Sequence, residues 1–102
     1  MQHLLVLQWP GSTEADFEVL IKMEDELERS LGSGTSVDGH DFGSGEMNIF
    51  IETDQPTQAF GEARAILGHW PLWAEVRAAH RQTGGETYTV LSPVGLTEFR
   101  IK

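Results

Sequence analysis

Apolar and polar positions along the chain change period several times, and each change marks an element. From residue 3 to residue 9, Leu5, Leu7 and Trp9 fall on one face of an extended chain and Leu4 and Val6 on the other. A run apolar on both faces is the pattern of an interior strand. Pro10-Gly11 stops it, and Ser12 or Thr13 can cap a helix whose first turn carries Glu14 and Asp16. Phe17, Leu20, Ile21, Leu27 and Leu31 then recur at helical spacing with Met23 on the shoulder, and Gly32 marks the stop. Two alternating runs, residues 36–42 and 46–53, flank Gly43-Ser44-Gly45, a spacing that predicts a β-hairpin. In the second run Met47, Ile49 and Ile51 share one face while Asn48, Phe50 and Glu52 share the other. Asp54-Gln55-Pro56 opens a second helix, with Asp54 as its cap and Ala59, Phe60, Ala63, Ile66 and Leu67 as its apolar stripe. Residues 73–82 contain good helix formers, yet Ala74, Val76, Ala78 and His80 alternate, and Thr83-Gly84-Gly85 leads into the β-rich residues 87–91. This favours a hairpin over a third helix, and residues 97–102 alternate as a short final strand.

That order predicts an α+β fold: a ferredoxin-like βαββαβ two-layer sandwich with an antiparallel sheet and one or two extra C-terminal strands. Its first and third strands would be central, and these are the two most apolar. Leu5 or Leu7, Phe17, Leu20, Ile21, Leu27, Ile49, Ile51, Phe60 and Leu67 are expected between sheet and helices. The 102 residues fit a single domain spanning 1–102, since halves would be too small to bury a useful core. The stretch Val37-Asp38-Gly39-His40-Asp41-Phe42-Gly43-Ser44-Gly45-Glu46-Met47-Asn48-Ile49-Phe50-Ile51, followed by Thr53-Asp54-Gln55-Pro56, resembles one in small uncharacterised bacterial proteins of similar length. The resemblance implies a fold and no activity.

Composition narrows the classes of function. The chain has no cysteine, which excludes disulfides, thiolate nucleophiles and Cys-based metal centres. The longest uninterrupted apolar run is Leu4-Leu5-Val6-Leu7, far short of a membrane span, and no basic residue precedes it as a secretory leader requires; a cytoplasmic protein is expected. Sixteen acids against seven lysines and arginines give a formal charge of −9, which argues against nucleic acid and anionic membranes as partners. The charge is uneven. Residues 1–54 hold 12 acids against Lys22 and Arg29, whereas residues 55–102 hold 4 acids and 5 bases. Glu24, Asp25, Glu26 and Glu28 form the densest group, on the outer side of the first helix, where their field can steer a basic partner or simply solvate the face.

Candidate chemistry is sparse. Asp38 and His40 would share one strand face, and a carboxylate beside an imidazole can orient it as a general base, with Asp41 joining only through a bulge at Gly39. Solvated strand edges carry the same residues. Among His3, His40, His69 and His80 no pair lies three or four residues apart, and the window starting at Asp38 has Phe42 and Ile49 where a calcium loop needs ligands, so no metal site is expected. Gly32-Ser33-Gly34 and Gly43-Ser44-Gly45 lack the rest of a dinucleotide or phosphate-binding motif, and neither serine sits on a nucleophile elbow. No cofactor is expected.

The sequence therefore favours a non-catalytic binding domain, homodimeric through the open sheet face, with the acidic helix offered to a basic protein partner. The partner-binding residues would be Glu24, Asp25, Glu26 and Glu28, with Phe50 on the open face and Trp73 in the cluster Trp70-Pro71-Leu72-Trp73. Besides a second copy, an extra C-terminal strand or a ligand could cover that open face. The rival is a small enzyme with His40 as base, Asp38 orienting it and Trp73 or Tyr88 lining a cleft.

Overall fold

The computed structural model describes residues 2–102 and is an α+β structure with a five-stranded antiparallel sheet and two helices. Strand β1 (His3–Pro10) leads through helix α1 (Glu14–Ser30) to β2 (Thr35–Gly43) and β3 (Glu46–Thr53). Helix α2 (Pro56–Leu67) and a 3-10 turn (Pro71–Glu75) follow, then β4 (Arg77–Gln82) and β5 (Thr89–Ser92). The sheet order is β2-β3-β1-β4-β5. No helix among the described residues is long and apolar enough to cross a membrane.

Local chemistry explains the element ends. Thr13 caps α1: its hydroxyl accepts from the Asp16 N–H at 3.0 Å, and the Asp16 carboxylate accepts from the N–H groups of Ser12 and Thr13. Those backbone donors hold the Asp16 carboxyl below its usual range. The β2–β3 turn is two residues long, Ser44 at φ 56° and Gly45 at φ 81°, within the pair Gly43↔Glu46. Two successive positive φ values are what a tight hairpin needs to match strand twist.

Both helices lie on one sheet face. Leu5, Leu7 and Trp9 of β1 and Met47, Ile49 and Ile51 of β3 are buried against Leu20, Met23 and Leu27 of α1 and Ala59, Phe60, Ala63 and Leu67 of α2. Strand β1 is central and pairs with β3 and β4 along most of its length, which is why both of its faces are apolar.

Five expectations are corrected. Phe17 and Ile21, expected in the core, are 38% and 37% exposed, because their side of α1 overhangs β2, the last strand of the sheet. The helix ends on an extended Leu31, and Gly32 instead donates its N–H to Glu62. Gln55, not Asp54, is the N-cap of α2, and the Asp54 carboxylate accepts the Gln2 N–H. The strand expected from residue 73 begins at Arg77, since Pro71 starts a 3-10 turn through Glu75. Residues 97–102 form no strand; they belong to a segment that crosses the open face.

That segment covers part of the face away from the helices. Val6, Asn48 and Ala79 point there and are fully buried, with Gln8 and Glu46 nearly so. Gln8 Nε2 donates to the Arg100 carbonyl at 3.1 Å, and the Lys102 N–H donates to Glu46 Oε2 at 3.2 Å. The rings of Tyr88 and Phe99 meet at 5.1 Å. The chain's own C-terminal segment therefore lies over the Gln8–Glu46 end of this face, while Leu4 and Phe50 remain half-buried.

Candidate interaction surface

The flank of α1 next to β2 is set by helical spacing. Phe17, Ile21, Glu24 and Glu28 lie at i, i+4, i+7 and i+11 and so share one stripe. Two contacts fix where it faces. The Phe17 ring packs edge-on against Phe42 at 5.3 Å and His40 at 6.0 Å, and the Glu24 carboxylate meets His40 Nδ1 at 3.0 Å. The stripe thus overhangs the outer strand, with Glu24 tucked beneath and Phe17, Ile21 and Glu28 reaching solvent.

Strand β2 shows why the expected Asp38–His40 pair does not form. Its register against β3 shifts between Val37 and Gly39, and Gly39 has φ 154°, a conformation L side chains rarely adopt. Asp38 is the extra residue. His40 then faces the helices opposite Ile49, while Asp41 faces the open side opposite Asn48. The carboxylate that orients His40 comes from sixteen residues earlier, a partner no local motif reveals.

Two other acids of the dense run have partners as well. Asp25 pairs with Arg29 one helical turn on. Glu26 points toward α2, accepting from Trp70 Nε1 at 2.5 Å and contacting His69 at 3.0 Å; the indole bond, then His69, holds its carboxyl below the usual range. Glu28 is exposed, as are Glu14 and Glu18. Of the four, Glu24 and Glu26 are half-buried beside His40 and Trp70, while Asp25 and Glu28 are exposed. Phe50 lies half-buried on the open face, remote from Trp73, which stacks on Phe60 at 5.7 Å and meets Trp9 edge-on at 6.4 Å in the helix layer.

Sequence reasoning missed a polar cluster under the C-terminal segment. Gln8 Nε2 donates to Glu46 at 2.9 Å and Asn48 at 3.0 Å, and Asn48 Nδ2 donates to Glu46 at 3.3 Å. A cleft of about 590 Å³ opens beside it, lined also by Arg77, Arg100 and Lys102. The signal was the polar position 8 in an otherwise apolar strand, which becomes legible only once the register sets Gln8 opposite Asn48.

A second histidine pair was also unforeseen. His3 and His80 stand edge to face at 5.7 Å, each with a buried Nδ1 that has no hydrogen-bond partner. Burial, then the neighbouring His3, depresses the basicity of His80. Among the described residues no three His, Asp or Glu side chains converge as metal ligands. His40 lines none of the three clefts of 340–590 Å³ near Gln8, Trp73 and His80.

No family model, curated protein or solved structure matches this chain.

Proposed function

We propose that this chain is a non-catalytic protein-binding domain that engages a basic protein partner through the side formed by α1 and β2. The observation that carries the reading is the distribution of charge on that side. Glu14, Glu18 and Glu28 on the helix and Asp38 and Asp41 on the strand are exposed, and no lysine or arginine occurs between Arg29 and Arg64. The side is predominantly acidic, with Lys22 and Arg29 the bases on α1, and such a surface accelerates encounter with an opposite charge and repels like-charged competitors. We further read the core as ferredoxin-like, which the order β2-β3-β1-β4 with antiparallel neighbours supports.

The enzyme reading draws support from the Glu24–His40 contact, since an oriented imidazole is a base in waiting. The clefts near Gln8, Trp73 and His80 do not include His40, and a base needs a bound substrate within reach.

The test is capture from native lysate by wild type and by the Glu14→Gln, Glu18→Gln, Glu28→Gln variant. These side chains lie off the core, so the fold should persist. Basic proteins held by wild type at low salt should be lost from the variant and at moderate salt. Equal recovery by both chains would refute the reading.

A further inference from the structure

We infer that the free edge of β2, roofed by the overhanging flank of α1, takes an extended basic segment of a partner protein as an added strand. The inference rests on the basic-partner reading above and supplies its mode of docking. Four observations converge on it.

Strand β2 is nine residues long and is the outermost strand among the described residues, with β3 as its strand neighbour. Alternate backbone N–H and C=O groups of such a strand point outward and template pairing. Next, Phe17 and Ile21 are the large apolar side chains of α1 left exposed, and the Phe17 contacts with His40 and Phe42 place them over this edge. A strand laid beside β2 would slide beneath them and bury its helix-facing side chains there.

Charge then selects the occupant. The open side of this edge carries Asp41 and, across the β2–β3 pair from Ser36, Glu52, with Asp38 at the bulge, and β2 and β3 contain no lysine or arginine. An added strand alternating apolar residues with Lys or Arg satisfies both sides, because its side chains alternate between the two faces. Finally, the charge disfavours a second copy, because each β2 edge would bring Asp38 and Asp41 to an edge with no lysine or arginine.

The probe is a labelled eight-residue peptide alternating lysine and valine, titrated by fluorescence anisotropy against the whole chain. Wild type should bind it, and the same peptide N-methylated at alternate residues, which cannot donate to a ladder, should bind about tenfold more weakly or worse. The Asp38→Lys, Asp41→Lys variant, checked for native circular dichroism, should lose the lysine peptide by about tenfold and accept its glutamate–valine counterpart. As both substitutions are at exposed positions, folding should survive; Ile21→Ser offers a second variant, weakening the lysine peptide without altering charge. Equal binding of methylated and unmethylated peptides overturns strand addition while leaving a basic partner in place. No binding of the lysine peptide by wild type overturns it too. Self-association of wild type that Ile21→Ser weakens would make a second copy the occupant and likewise overturn it. Failure of the basic-partner reading shows separately, as unchanged lysate recovery by the α1 variant.

Discussion

The two edges of the sheet are built in opposite ways. At one, β5 is only four residues long, its pairing with β4 slips between Ala78 and Ala79, and the chain beyond it turns back across the open face. At the other, β2 runs nine residues and is the outermost strand among the described residues, with an acidic rim and two apolar helix residues above. Short strands, irregular pairing and covering segments are how proteins blunt a sheet edge. Strand β2 has charge and one bulge, which deter its own kind but leave residues 39–43 regular enough to pair with an oppositely charged strand.

Several substitutions would break or sharpen this contrast. Leu7→Ala empties the centre of the strand on which both edges depend, and should cost about 2–5 kcal/mol in urea unfolding. Gln8→Leu acts on the face that the C-terminal segment crosses. It removes the donor joining Glu46, Asn48 and the Arg100 carbonyl, leaving a buried carboxylate short of partners at a cost of about 1–3 kcal/mol. Amides of residues 96–102 should then exchange faster while β2 is unchanged; faster exchange in β2 as well would show that the two edges are coupled.

The β2 edge is the one where sequence periodicity misleads. Ile21→Ala should cost only about 1 kcal/mol, far less than Leu20→Ala at about 2–5 kcal/mol, although the two residues are adjacent in the same apolar stripe. Equal losses would mean the flank is a core face after all.

The smallest effect is a pH dependence on the β4 side. His80 is held neutral by burial and by His3, so the unfolded chain binds its proton more readily than the folded one. Its contribution is fully present above the ordinary histidine value near 6.5 and is lost as pH falls below it. Thermal unfolding of His80→Gln should show a shallower loss between pH 7 and 5 than wild type. Equal slopes would mean that His80 does not titrate differently in the fold.

How much of this was legible follows from which residues interact locally. Strand β3 was readable to its ends, because its alternation and the Ser44-Gly45 turn are short-range signals. A cap at Ser12 or Thr13 was readable for the same reason, and Thr13 is the one that forms it. Phe17 and Ile21 fit the helical period, but whether a stripe is buried depends on where the sheet stops, which α1 does not encode. His40 was singled out with the wrong carboxylate, since the bulge at Asp38 and the arrival of Glu24 from α1 are tertiary facts. The C-terminal alternation was visible too. It describes a segment lying on a sheet face, where one side is wet and one dry, as well as it describes a strand.

Site-resolved amide hydrogen exchange of the whole chain, with and without the lysine–valine peptide, tests the contrast most directly. The account predicts new protection at alternate amides of β2, none at β5 and none along residues 93–102. Protection that appears at β5 or the C-terminal segment, or is absent from β2 while the peptide is bound, would contradict it.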